Sequence, residues 1–273
     1  MSDPPGEAPP ETPEAPETPE PLAARAGGPH ATGERAAPFT RLADVYDAIM
    51  SDVPYDDWID FLLREATARG FRGGPTLDLA CGTGGATRPM RDRGFEVDGV
   101  DGSEAMLAVA RAKLPEVRFR RGDLRTFRTG RRYALIFSVF DSLNNMLDPA
   151  DFVRAVRRAR AHLLPGGLFV FDANTRRGLA ELWEQGVAEG ATPEVRYRWV
   201  HRYDPARELA TVEATCHDRH GRFTEVHHER PYDPEVLRRL VRRAGFEAVD
   251  VIVFPDGEDA TEEEPRVWTF ARG

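Results

Sequence analysis

The segment TLDLACGTGG (76–85) constrains the fold more than any other part of the chain. An apolar run of strand length stops on closely spaced glycines and passes straight into a helical pattern. Gly82 and Gly84 allow a sharp turn and a close backbone approach to a ligand, because neither carries a Cβ. The flanking sequence repeats the rhythm. Helical stretches near 85–93 and 103–113 enclose a second strand over 95–101, a third strand fits 117–121 and a fourth fits 133–140. A helix over 151–163 leads through Pro165-Gly-Gly into a fifth strand at 168–171. Strands alternating with helices of this length specify right-handed βαβ units and a parallel sheet. A helix over 234–244 and strands over 247–254 and 266–270 bring the sheet to seven strands.

Two other regions depart from this rhythm. Leu42, Val45 and Ile49, then Trp58, Phe61 and Leu62, recur at helical spacing and predict two opening helices. Residues 194–231 instead show three runs of two-residue alternation, joined at Asp204-Pro205 and His220-Gly221. That pattern predicts an antiparallel meander inserted into the parallel fold. Residues 1–37 are dominated by Pro, Glu, Ala and Thr, have almost nothing to bury, and read as a disordered Pro/Glu-rich tail. The expected organisation is therefore the tail (1–37) and one domain (38–273), with an N-terminal helical cap at 38–70 and a β lid at 190–232.

Composition removes several classes of function. The chain has 273 residues and a formal charge of −9, which argues against a surface that tracks nucleic-acid phosphates. No apolar run reaches the roughly 18 residues of a membrane helix, and no secretory signal opens the sequence. Cys81 and Cys216 cannot make a disulfide framework and lack metal-ligand spacing. The histidines of the meander, His201, His217 and His220, have no metal-site spacing either. The expectation is a cytoplasmic protein without a metal, a membrane contact or a nucleic-acid partner.

Three elements fall at the carboxyl ends of adjacent strands, where open α/β sheets bind ligands. The first is the glycine loop. The second is Asp101, placed 19 residues after Gly82 to accept hydrogen bonds from both hydroxyls of an adenosine ribose. The third is Gly122-Asp123-Leu124, whose carboxylate could accept the exocyclic amine of adenine. A dinucleotide site would want a third glycine where Thr87 stands, and Asp78 inside the strand suits a cationic ligand better than a diphosphate. Both points disfavour a dehydrogenase.

With DLACGTGG as first motif and VDGVDGSEAML as second, residues 38–273 resemble the class I S-adenosylmethionine-dependent methyltransferases. Ala80 stands where many members of that class have glycine. The resemblance implies an α/β fold: a Rossmann-like, seven-stranded, mostly parallel sheet with helices on both faces, here with the inserted antiparallel β-meander lid. It implies S-adenosyl-L-methionine as cofactor. Gly82 and Gly84 would then face its methionine portion, Asp101 the ribose, Met106 one face of the adenine, and Asp123 with Leu124 its edge. Tyr46, Ala80, Gly102 and Phe140 complete the expected cofactor contacts.

The segment RLADVYDAIMSDVPYDDW (41–58) resembles the N-terminal segment of bacterial small-molecule methyltransferases, which caps cofactor and substrate. Tyr46, Tyr55 and Trp58 would be its aromatic contributors. The sequence FDSLNN (140–145) lacks the (Asp/Asn)-Pro-Pro-aromatic motif of enzymes that methylate nucleic-acid bases and amides. It resembles the small-molecule branch, with Asp141 or Asn144 touching substrate or capping the following turn. In the meander, His227, Glu229, Arg230 and Tyr232 match a His-x-Glu-Arg-x-Tyr run of several relatives. His227 and His228 must point to opposite faces of a strand; His227 is the candidate general base and Arg230 a candidate substrate contact. The implied activity is methyl transfer to nitrogen or oxygen of a small-molecule metabolite. The competing readings are an RNA or protein methyltransferase, and a catalytically silent regulatory protein that only binds the cofactor.

Overall fold

The computed structural model describes residues 33–183 and 186–273. Its framework is a sheet of seven strands: β2 (Thr76–Leu79), β3 (Val97–Asp101), β4 (Arg118–Arg121), β5 (Tyr133–Ser138), β6 (Leu163–Asn174), β11 (Ala248–Ile252) and β12 (Arg266–Arg272). Their order across the sheet is β11-β12-β6-β5-β2-β3-β4. The five from β6 to β4 run parallel, and β12 enters antiparallel between β6 and β11. The order reverses at β2, so the glycine loop that follows β2 opens at the switch point, where such sheets leave a crevice.

The central strands are buried on both faces, which is why their sequences read as continuous apolar runs. Leu77, Leu79, Ile136, Phe169 and Phe171 pack on one side with Phe152, Val153, Leu237 and Val241. Those partners come from α5 (Pro149–Ala161) and α7 (Pro234–Arg243). Leu135, Phe137, Leu168, Val170 and Phe270 face the other side. There they meet α2 (Tyr55–Ala68), α3 (Thr87–Asp92) and α4 (Glu104–Lys113), through residues such as Phe61, Leu62, Met90 and Leu107.

The inserted antiparallel sheet contains β7 (Val187–Ala191), β8 (Arg196–Asp204), β9 (Leu209–Asp218) and β10 (Gly221–Glu229). It begins earlier than the alternation suggested, with β7, and follows an unforeseen α6 (Arg176–Trp183). A fifth strand corrects the boundary of the tail. Residues Glu34–Ala36 form β1, which pairs parallel with β10, Ala36 opposite Glu225. The sequence around 34–36 has no apolar alternation, so only its partner strand makes it extended. The rest of the expected tail, 1–32, lies outside the described residues.

The expected cap divides as well. A 3-10 turn at Arg41–Asp44 and α1 (Tyr46–Ile49) lie beside the inserted sheet, where Leu42 and Val45 pack with Phe223. By contrast α2 covers the main sheet and belongs to its core. Among the described residues no helix is long and apolar enough to cross a membrane.

Candidate active site

A cavity of about 700 Å3 lies over the carboxyl ends of β2, β3 and β4. The left-handed backbone at Ala80 (φ 64°) and Gly82 (φ 52°) turns the chain out of β2. Ala80 holds this conformation through its N–H, which donates to the Val100 carbonyl at 2.7 Å. Asp101 braces the loop from the neighbouring strand. The Gly82 N–H donates to its Oδ2 at 2.8 Å and the Ser103 N–H to its Oδ1 at 2.7 Å. Burial raises the Asp101 carboxyl, and the amides of Ser103, Gly82 and Gly102 oppose that rise. A carboxylate held by two donors keeps acceptor sites free for a ligand.

Of the expected cofactor contacts, Tyr46, Ala80, Gly82, Asp101, Gly102, Met106, Asp123, Leu124 and Phe140 line this cavity. Gly84 does not. A Cβ there would come within 3.1 Å of Leu114 and close to Ala110, so this glycine lets the loop pack down on α4. Its left-handed φ of 84° is a second reason for the residue. Asp123 sits at the rim, where Arg125 holds its carboxylate below the usual range. Ser103 caps α4 through the Met106 N–H, which fixes Met106 at the cavity wall.

Asp78 is fully buried beneath the loop and lines the same cavity. Burial pushes its carboxyl up to about 7, against a hydrogen bond from the Thr87 hydroxyl at 2.6 Å, with the nearby Asp101 adding to the rise.

A second cavity of about 340 Å3 adjoins the first, and Phe39, Tyr46, Phe140 and Asn145 line both. The inserted sheet supplies its far wall: Trp199 and His201 from β8, Val212 and Ala214 from β9, His227 and Glu229 from β10. All six occupy alternate positions on one face, as the register Trp199–Ala214, His201–Val212 and His227–Val212 requires. Asp141, in left-handed backbone (φ 49°) after β5, and Asn174, at the end of β6, supply the near wall.

Asp141 and His227 line this second cavity, and three other residues singled out in the sequence do not. Trp58 lines neither cavity. It is a core residue of α2, edge-on to Trp268 and under the Arg266 guanidinium at 4.7 Å. Asn144 is completely buried and ties three backbones together: its Nδ2 donates to the carbonyls of Asn174 and Arg230 at 2.8 Å each, and its Oδ1 accepts the Asn174 N–H. Its neighbour Asn145 is the one at the cavities. Arg230 also lines neither cavity and pairs with Glu208.

Two acids of β10 act at the second cavity, Glu225 buried behind it and the part-buried Glu229 in its wall. Glu225 accepts the backbone N–H groups of Phe39 (2.7 Å), Thr40 (3.1 Å) and Leu42 (2.9 Å), clamping the N-terminal segment to β10. The His227 Nε2 lies 3.3 Å from the same carboxylate, so the imidazole is drawn toward the clamp. Burial works to raise the Glu225 carboxyl, but His227 and the amides prevail and hold it low. The other acid, Glu229, is raised to about 8 by burial and by the adjacent Asp141.

Arg266 neutralises the group behind Glu229. It contacts Asp141 at 2.8 Å and Asp172 through two nitrogens, its Nε at 2.6 Å from the Asp172 carboxylate. Parity along β10, read forward from His227, would have found Glu229. The clamp and the Arg266 cluster depend on pairings remote in sequence and had no local signal.

The fold and the first motif agree with comparisons to known proteins. A sequence model described as a methyltransferase domain matches residues 76–167. The chain is 28% identical over 233 residues to the methyltransferase homologue YqeM of Bacillus subtilis, covering 81% of this chain and 92% of that one. It is 38% identical over 96 residues to a dTDP-3-amino-3,6-dideoxy-alpha-D-glucopyranose N,N-dimethyltransferase of Streptomyces fradiae, 35% of this chain and 38% of that enzyme. Among solved structures, an S-adenosylmethionine-dependent methyltransferase from Clostridium acetobutylicum superposes with a TM-score of 0.74 at 26% identity, over 85% of this chain and 97% of that one. In fold and in its first motif the chain is similar to S-adenosylmethionine-dependent methyltransferases.

Proposed function

We propose that this enzyme transfers a methyl group from S-adenosyl-L-methionine to a nitrogen or oxygen of a small-molecule metabolite in the cytoplasm. The observation that carries the reading is the 340 Å3 chamber beneath the inserted sheet, which meets the cofactor cavity at Tyr46, Phe140 and Asn145. Its volume suits a small molecule, and its walls are largely apolar with a few convergent polar groups. Relatives named for methylating amino sugars support a metabolite. The charge of −9 and the acids around the chamber disfavour RNA.

The larger cavity fits the cofactor. Asp101 would take the ribose, Met106 and Leu124 would flank the adenine, and buried Asp78 would face the positively charged portion. When bound, the cofactor supplies an already activated methyl group. The residues around it then have to position the acceptor and exclude water, contributions worth roughly 7–11 kcal/mol in favourable geometries.

The test is calorimetric titration with S-adenosylmethionine, NAD as control, followed by incubation with a metabolite library and mass detection of one added methyl. Binding with methylated product supports the reading. Binding without any product favours the silent regulatory protein, and methylation of RNA or protein alone would replace the small-molecule assignment.

A pH dependence follows from Asp78. Its carboxyl, raised to about 7, is mainly protonated at pH 6 and mainly ionised at pH 8. A cationic ligand prefers the ionised form, so affinity for S-adenosylmethionine should rise about tenfold over that interval, in step with the ionised fraction. Asp78→Asn should flatten the profile; an unchanged slope would show that Asp78 does not sense the ligand's charge.

A further inference from the structure

The walls of the second cavity are unequal in hydrogen-bonding character. Its apolar side is formed by Leu42, Met50, Val212 and Ala214. Where Glu229 of the inserted sheet approaches Asn174 and Asp141 of the near wall, the lining presents acceptors instead. Among the described residues Glu229 accepts one weak hydrogen bond, from the Asn174 Nδ2 at 3.4 Å, leaving most of its carboxylate lone pairs uncommitted. Asn174 is only 4% exposed and its Oδ1 has no hydrogen-bond partner among the described residues. A buried acceptor left unpaired is destabilising unless a donor meets it. The cation nearest this wall, Arg266, is already engaged by Asp172 and Asp141. The wall thus calls for a ligand that brings several N–H donors and positive charge.

Resting on the methyltransferase reading above, we propose that the acceptor is a primary or secondary amine, bound as its ammonium against Glu229 and the Asn174 Oδ1. Glu229 takes one proton from the ammonium. The nitrogen keeps the electron pair of that N–H bond and would use it to form the N–C bond as the methyl's C–S bond breaks, the C–S pair staying on sulfur to leave the neutral thioether. The proton remains on Glu229 until it passes to solvent. An acceptor carboxylate would meet Glu229 and Asp141 as like charges, and an alcohol could satisfy only one of the two acceptors.

The groups facing Glu229 come from several elements: Asp141 after β5, Asp172 and Asn174 on β6, Arg266 on β12, Tyr46 on α1, His201 on β8 and His227 on β10. Burial and Asp141 raise the Glu229 carboxyl. Ammonium binding should therefore release a proton near pH 7 and strengthen toward pH 8, still below the ~10 at which an alkylamine loses its own charge.

The test uses the full chain and three probes with the same ring: cyclohexylamine, cyclohexanol and cyclohexanecarboxylate. Each is titrated calorimetrically, at pH 7 and 8 and in two buffers, with S-adenosylhomocysteine filling the first cavity. Cyclohexylamine should bind at least tenfold tighter than the other two, with buffer-dependent heat reporting the released proton. Glu229→Gln should reduce its affinity to that of the alcohol, and Glu229→Asp should restore part of it, with melting curves confirming the fold of both. Amine binding no tighter than alcohol or carboxylate binding, or unchanged in Glu229→Gln, would overturn the proposal. If cofactor binding is normal in that case, the methyltransferase reading stands; a chain that takes up neither S-adenosylmethionine nor its product overturns both.

Discussion

Replacing Asp101 by alanine should weaken S-adenosylmethionine binding by about a hundredfold or more while the chain still folds. The carboxylate is braced by the Gly82 and Ser103 amides at 2.8 and 2.7 Å, so its free lone pairs are already aimed into the cavity. A hydrogen bond to a charged group contributes about 1.5–3 kcal/mol. Losing two such bonds to ribose hydroxyls removes about 3 kcal/mol at the low end, and each 1.4 kcal/mol is tenfold in affinity. The glycine turn would also lose its brace from β3, which adds to the effect. Calorimetry of Asp101→Ala beside Asp101→Asn provides the check, since the amide can still accept one bond and should fall between. A loss under threefold would show that Asp101 does not hold the ribose.

The largest stability effect is expected at Arg266. Its guanidinium lies between Asp172, which is fully buried, and Asp141, and stacks at 4.7 Å over Trp58 and 5.6 Å over Phe140. Arg266→Leu preserves much of the stacking but leaves the carboxylates without their cation. Removing one partner of a buried ion pair typically costs 3–5 kcal/mol. The arginine side chain keeps 27% of its exposure, so water can partly replace it and the lower end, about 3 kcal/mol, applies. For a chain of this size that corresponds to a melting temperature lower by about 6–12 °C.

The pH trend of this variant has a definite sign. Burial already raises the Asp141 carboxyl, and the lost cation would raise it further. An acid whose folded-state value lies above its unfolded value makes the folded state bind more protons. The variant should therefore recover stability as pH falls from 7 toward 5. Thermal melts of both proteins across that range would show the gap narrowing; a constant gap would mean that the carboxylates find other partners.

The sheet was legible from the sequence because its signals are local. Apolar runs such as 133–138 and 168–171 are continuous since both faces are covered, and glycines mark where the chain leaves β2. The first cavity follows from three strand ends, so nine of the ten contacts expected from the sequence line it. Gly84 shows the limit of that inference: a glycine in the loop can serve packing against α4 as readily as a ligand. The lining of the second cavity was less accessible. Trp58 and Asn144 have residue types common in binding sites, yet burial puts one in the core and makes the other a backbone tie. Glu34–Ala36 is a strand only because β10 offers an edge, and that pairing spans almost 190 residues.

The Glu225 clamp bears on the timing of catalysis. It holds the amides of Phe39, Thr40 and Leu42, while the Ser103 hydroxyl donates to the Phe39 carbonyl and the Thr83 hydroxyl to Asp47. These bonds fasten one short stretch of chain across the edges of both chambers, to the inserted sheet on one side and to the cofactor loops on the other. Exchange of spent cofactor for fresh requires several of them to open together, so they slow departure without altering the transfer itself. Weakening the clamp, as in Glu225→Gln, should therefore raise the off-rate of the cofactor before it touches the chemical step, an outcome that stopped-flow release would show.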